Sequence, residues 1–293
     1  MNNEIKVVRA DILGYCMGVR RAVELAKEAL ESYPHKQVFT LGPLIHNKSA
    51  LEQLANQGLL QLSVTDIDSI NSENPPVVIV RAHGVPPAVK KALSEKNCII
   101  IDATCPRVLL SQKRAADFAE KHYEVLIAGD KNHGEVTGIA GFAEEKGSKC
   151  QVVENVADAE NISAVDKAIL ISQTTISRQE YEDIAAVLKT KIADLQVFNT
   201  ICPATSERQK ALEELCSKVE GILVIGGKNS ANTQRLFMNA EKWCKGLVAH
   251  IETADEIPSS FFHLKTVGLT AGASTPDEII DEVEDTLIKK TIE

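Results

Sequence analysis

Three cysteines of this 293-residue chain stand in the same local context, separated by 89 and 97 residues, each about a third of the length. They are Cys16 in ILGYCMGVRRA, Cys105 in DATCPRVLLSQKRA and Cys202 in NTICPATSERQKA. Each falls where a short apolar run gives way to a helical pattern: Met17 to Ser32, from Cys105 to about His122, and from Cys202 to about Val219. Self-similarity at that period predicts three copies of one supersecondary unit, none of which can bury its apolar face alone.

The rest of the chain keeps the same register. The runs QVFTL, VVIVRA, CIIIDA, VLIAG, QVV, AILIS, LQVFN, ILVIGG, LVAHI and TVGLT alternate with amphipathic stretches, the rhythm of parallel α/β units. At offsets of 30, 28 and 28 from the cysteines come the loops GPLIHN, GDKNHGE and GGKNSAN, carrying His46, His133 and Ser230. At offsets of 67, 69 and 72 come RAHGVPP, SQTTISR and TAGASTPD, carrying His83, Thr174 and Ser274. The first two copies close on CIIIDA and LQVFN; the third has no such strand, and the N-terminal IKVVRAD can supply it. The expected fold class is therefore α/β, with three pseudo-threefold-related lobes. Their expected bounds are 17–104, 105–201, and 202–293 completed by 1–16. Strand C-terminal ends would face the shared axis, where parallel α/β proteins bind ligands.

Composition narrows the function. A hydrophobic content of 44% supports several small cores. A net charge of -9 with no extended Lys/Arg run argues against nucleic acid as partner. No apolar run approaches the roughly 20 residues that span a bilayer, and the N-terminus reads as no secretion leader, so the expected location is cytoplasmic and away from the membrane. Seven cysteines without such a leader and without any CxxC pair read as thiols or metal ligands rather than a disulfide framework. Cys98, Cys150, Cys216 and Cys244 read as small buried hydrophobes.

Three thiolates meeting at one point suit zinc with an open fourth position, or a four-iron cluster in which one iron lacks a protein ligand; spacing alone does not choose. Polar loops at helix starts offer backbone N–H groups and the helix dipole to an anion, and a diphosphate is the natural guest. There is no Walker A sequence and no GxGxxG. His35, His122, His250 and His263 read as structural. Glu135, in HGEV, is placed by its loop at the anion site, where a protonated or proton-shuttling carboxyl makes sense beside phosphate; a helix-start glutamate favoured by the dipole is the plainer reading.

The blocks GYCMGVRRA, GPLIHN, RAHGV, DATCP, HGEV, SQTT, ICPATSERQ, KNSAN and TAGAS, in that order from Gly14 to Pro276, resemble the signatures of the 4-hydroxy-3-methylbut-2-enyl diphosphate reductase family. The resemblance implies lobes around a central iron-sulfur cluster, one 4Fe-4S cluster per chain held by Cys16, Cys105 and Cys202, whose open fourth iron takes the substrate hydroxyl. It implies that His46, His83, His133, Thr174, Ser230, Asn232 and Ser274 hold the diphosphate, and that Glu135, with Thr174 close by, handles the proton for the departing hydroxyl. Electrons would come from ferredoxin or flavodoxin, and the products would be isopentenyl and dimethylallyl diphosphate, at the last step of the non-mevalonate isoprenoid pathway. Gly134 departs from the proline of that family; glycine frees the backbone there and is expected to loosen Glu135 while removing no chemical group. The alternatives are a zinc-dependent hydrolase of a phosphorylated metabolite and a non-catalytic iron-sulfur sensor. Nothing resembles a coiled coil, and a monomer is expected.

Overall fold

A computed structural model describes residues 5–45 and 47–289. The elements alternate along the chain as β1 (Lys6–Arg9), α1 (Met17–Ser32), β2 (Val38–Leu41), α2 (Lys48–Asn56), β3 (Leu59–Leu62), β4 (Val77–Val80), α3 (Pro87–Glu95), β5 (Ile99–Asp102) and α4 (Pro106–Ala119). They continue as β6 (Glu124–Ala128), α5 (Gly134–Glu145), β7 (Cys150–Val153), α6 (Val156–Asn161), β8 (Lys167–Ser172), α7 (Arg178–Lys191) and β9 (Asp194–Val197). The last are α8 (Pro203–Cys216), β10 (Gly221–Ile225), α9 (Ala231–Trp243), β11 (Leu247–Ile251), β12 (Thr266–Ala271) and α10 (Asp277–Lys289).

The strands form three four-stranded sheets with the orders β3-β2-β4-β5, β7-β6-β8-β9 and β11-β10-β12-β1. Every pairing in them is parallel. Each sheet thus repeats one order, in which the strand after the cysteine helix lies inside and the strand leading to the next cysteine lies at an edge. In the last sheet that edge strand is β1, from the other end of the chain, with Lys6 opposite Thr266 and Arg9 opposite Leu269.

By contacts the chain divides into two compact units. One comprises Met1–Arg20, Ile45–Asn56 and Pro203–Glu293 and contains the β11-β10-β12-β1 sheet. The other comprises Arg21–Leu44 and Gln57–Cys202 and contains the remaining two sheets. Central strands are apolar on both faces, as in β4 (VVIV), β6 and β10, because helices cover each face. Alternate residues of a strand point to opposite faces and so feed separate cores. Val125 and Ile127 pack with Ile139 of α5, whereas Leu126 packs with Ile184 and Leu188 of α7. Ile222 and Val224 likewise join Leu212 and Leu236, whereas Leu223 and Ile225 join Val283 and Leu287.

Four details depart from the sequence reading. β3 is a strand that the apolar runs do not announce, since Leu60 and Gln61 at its centre are exposed and it lies at the sheet edge. α4 stops at Ala119, short of His122, whose φ of 62° no helix accommodates. α8 stops at Cys216 rather than near Val219. Finally, Cys216 and Cys244 are joined by a disulfide rather than being separate buried thiols. α8 and α9 pack side by side through Leu212, Leu215, Leu236 and Ala240, so their C-terminal ends bring together cysteines that are 28 residues apart. Among the described residues no helix is long and apolar enough to cross a membrane.

Candidate active site

The polar loops all leave the C-terminal ends of their strands, and one hydrogen-bonding scheme sets them up three times. Gly42, Gly129 and Gly226, which follow the first strand of each sheet, donate their amides to the carbonyls of Leu62, Val153 and Ile251 on the neighbouring edge strand. Their φ angles of 75°, 155° and 139° belong to the left-handed region that favours glycine, so the chain turns out of the sheet there. The cysteines are tied as regularly. Cys105 donates its amide to Ala82, Cys202 to Thr174 and Cys16 to Ala273, at 2.9, 2.8 and 3.1 Å. Each cysteine is thereby fixed to the loop after the third strand of its own sheet.

Each of these three cysteines directly precedes a helix: α1, α4 and α8 begin at Met17, Pro106 and Pro203. The remaining cysteines are otherwise engaged. Burial pushes the Cys150 thiol up to about 12 and raises Cys98, while Cys216 and Cys244 are oxidised to a disulfide. Cys16, Cys105 and Cys202 are half-buried, stand at helix starts and belong to no disulfide. Cys16 belongs to the first unit, Cys105 and Cys202 to the second. Within each unit, among the described residues, no three His, Cys, Asp or Glu side chains gather closely enough for one metal ion.

Glu135 is the most unusual group of the second unit. It lies in the first turn of α5 and is 1% exposed. Burial pushes its pKa up to about 7, against the opposing pull of two hydrogen bonds from Thr174. The Thr174 amide donates to Oε1 and its hydroxyl to Oε2, both at 2.7 Å. The dipole of α5 also favours the charged form, so desolvation outweighs all three. Because the Cys202 amide bonds the Thr174 carbonyl, carboxyl, hydroxyl and cysteine backbone form one connected chain.

His133 is the N-cap of α5; its Nδ1 accepts from the Glu135 amide at 3.2 Å, so Nε2 is the nitrogen that can donate outward. His83 meets His133 edge to face, with ring centroids 5.1 Å apart. The turn that presents His83 closes with the Gly84 amide donating to the Arg81 carbonyl at 2.9 Å. Gln173, which the sequence did not single out, accepts from the Asp130 amide and so braces the loop before His133. Arg81, also passed over in the sequence, places its guanidinium against Gly134. Gly134 therefore does not loosen Glu135, which Thr174 grips twice; it makes room for Arg81.

In the first unit, Ser230 is the N-cap of α9 and accepts from the Thr233 amide at 3.4 Å. The Asn232 Nδ2 is buried and makes no hydrogen bond among the described residues, a donor in want of an acceptor. Ser274 is buried beside Ala273, whose carbonyl holds Cys16. His46 lies outside the described residues. The described polar loops run into helices as expected, and His133 and Ser230 are themselves the caps. His83 and Thr174 instead sit in turns upstream of the caps Pro86 and Ser177, and Ser274 precedes α10, which begins at Asp277. His250 has a structural task, its Nε2 being 2.9 Å from the Gly226 carbonyl.

Fold and loops together define a class: parallel α/β proteins of three repeated sheets, each with a cysteine and polar loops at its C-terminal edge. Within that class the chain belongs to the LytB protein family, whose model matches residues 7–288. It is 48% identical to a 4-hydroxy-3-methylbut-2-enyl diphosphate reductase of Treponema denticola, over 97% of this chain and 99% of the relative. A reductase of the same name from Caldanaerobacter subterraneus subsp. tengcongensis is 41% identical, with 95% of both chains covered. A solved structure of (E)-4-hydroxy-3-methyl-but-2-enyl diphosphate reductase, described as the terminal enzyme of the non-mevalonate pathway, matches with a TM-score of 0.79 at 35% identity, covering 97% of this chain and 99% of that one. The corresponding structure from Plasmodium falciparum gives 0.81 at 26% identity, covering 97% and 87%.

Proposed function

We propose that this chain reduces (E)-4-hydroxy-3-methylbut-2-enyl diphosphate to isopentenyl and dimethylallyl diphosphate, with Cys16, Cys105 and Cys202 holding a 4Fe-4S cluster. The observation that carries the reading is Glu135: a carboxyl buried in a phosphate-type site, kept protonable near neutral pH and gripped by Thr174. Such a group suits a reaction in which a poor leaving group, hydroxide, must depart as water.

The cluster, when bound, supplies an open iron as Lewis acid and a route for electrons. The chain's own residues do the rest. His46, His83, His133, Ser230, Asn232 and Ser274 bind the diphosphate, with His133 donating from Nε2 and Asn232 from its otherwise unpartnered Nδ2. Fixing the anion orients the C–O bond, so that binding energy remote from the reacting carbon lowers the barrier. Glu135 in its neutral form holds the proton that the leaving oxygen takes, and Thr174 fixes the direction of that proton. The overall step consumes two electrons and two protons, one proton for the departing oxygen and one for the allylic carbon. Ferredoxin or flavodoxin is the proposed donor for a monomeric, cytoplasmic enzyme. The test is anaerobic reconstitution with iron and sulfide, followed by turnover of the allylic diphosphate with a chemical reductant. About four irons per chain and formation of both isomeric products are expected; iron-free protein, or hydrolysis without reduction, contradicts the proposal.

A further inference from the structure

Arg81 is a half-buried guanidinium without a counter-charge. Its Nε is buried and makes no hydrogen bond, and among the described residues the side chain forms no ion pair. Burial alone lowers its pKa, since no neighbouring carboxylate offsets the loss of water. Its position makes the isolation more costly. A Cβ added to Gly134, the first residue of α5, would lie 2.6 Å from Arg81 Nη2, and one added to Gly42 would lie 3.2 Å from Nη1. The guanidinium therefore spans from the loop after β2 to the positive end of α5, where a cation is disfavoured. Glu135, which follows Gly134, spends both carboxyl oxygens on Thr174.

Proteins seldom leave such a charge unpaired, and an arginine facing a helix N-terminus with two histidines nearby lacks only an anion. We infer that Arg81 is a direct ligand of the substrate's diphosphate, and that Gly134 is the residue that lets its guanidinium reach this seat. The inference rests on the reading that His83 and His133 line the diphosphate site. Proline or alanine at position 134 would suit the start of a helix, yet its Cβ would lie 2.6 Å from Nη2, so the guanidinium would have to shift from this position. Glycine at this position is thus coupled to Arg81 through space rather than through backbone conformation.

The experiment uses the anaerobically purified holoenzyme and inorganic pyrophosphate as probe, titrated calorimetrically into wild type, Arg81→Gln, Arg81→Lys and His83→Ala. Arg81→Gln should weaken pyrophosphate binding about ten- to a hundredfold. It should raise KM for the allylic diphosphate with kcat within a few-fold, and leave the visible spectrum unchanged. Arg81→Lys, which keeps the charge but not the fork, should recover part of the affinity. Because Arg81 has no partner to strand among the described residues, ligand-free Arg81→Gln should melt at or above the wild-type temperature, while its stabilisation by pyrophosphate shrinks. Wild-type pyrophosphate affinity in Arg81→Gln, alongside weakened binding in His83→Ala, overturns the role of Arg81 and leaves the site intact. A lowered ligand-free melting temperature with unchanged affinity assigns Arg81 to the scaffold and overturns it too. Unchanged affinity in both variants overturns the assignment of the diphosphate site itself.

Discussion

The loops after β6 and β10 are built alike and differ in chemistry. Each starts at a glycine with positive φ, Gly129 or Gly226, whose amide is tied to the neighbouring edge strand. Each then runs to an N-cap, His133 or Ser230, that accepts from the first turn of its helix. Two residues past the cap the equivalence breaks: one loop carries Glu135, buried and pushed up to about 7, and the other carries Asn232, whose buried Nδ2 lacks a partner. The comparison teaches that one repeated loop frame can present different chemistry, and under the proposed reaction Glu135 would donate a proton where Asn232 would only bind. An acid in every copy would repel a diphosphate; an amide in every copy would leave nothing to protonate the leaving oxygen.

The largest expected effect concerns what the copies share. Cys105→Ala should abolish cluster incorporation, whereas Cys150→Ala, which removes a buried thiol far from ionising, should leave iron content unchanged. Iron and sulfide analysis after anaerobic reconstitution checks both. Retention of a full complement in Cys105→Ala would remove it from the ligand set.

Next comes Glu135→Gln, which keeps a hydrogen-bonding group of the same shape but cannot supply a proton. Its kcat should fall by about 10² to 10⁴ with KM little changed. Stability should move the other way. A carboxyl whose pKa is raised from 4.5 to about 7 in the folded chain destabilises folding as pH climbs through that window, because the unfolded chain releases its proton first. Above pH 7 the penalty is about 3 kcal/mol, at 1.36 kcal/mol per unit. Glu135→Gln should therefore be more stable than wild type at pH 8 and gain nothing near pH 4, as denaturant midpoints would record.

A smaller effect is expected from Asn232→Asp, which places a carboxylate in the binding-only loop. KM should rise by roughly ten- to a hundredfold through repulsion of the diphosphate, with the visible spectrum unchanged. Steady-state kinetics on the double variant Glu135→Gln/Asn232→Asp sharpen the point: no turnover should return. Recovery would mean that the two loops are interchangeable after all.

Much of this architecture was legible in the sequence because the period of the cysteines, the apolar strand runs and the loop offsets all carry the repeat. The want of a closing strand after α10 pointed to IKVVRAD, and β1 does pair with β12. What escaped depended on neighbours remote in sequence. β3 is too short and too exposed at its centre to stand out. The Cys216–Cys244 disulfide follows from α8 lying beside α9, which no spacing rule announces. Arg81 hid inside the RAHGV block, where the adjacent His83 drew attention, and its meaning appears only when the space left by Gly134 is measured. The upward push on Glu135 comes from burial, against the pull of the Thr174 bonds, and neither the burial nor a partner 39 residues away can be read from HGEV alone.

The central claim is that Glu135, kept protonable near neutral pH by burial, is the proton source in one loop of three. The most direct measurement is the anaerobic pH profile of kcat, at saturating substrate and reductant, for wild type and Glu135→Gln. A general acid must carry its proton, so wild-type kcat should be flat below about 7 and fall roughly tenfold per pH unit above it, while the residual rate of the variant shows no such break. A break at the same pH in both proteins, or wild-type turnover rising through that range, would contradict the account.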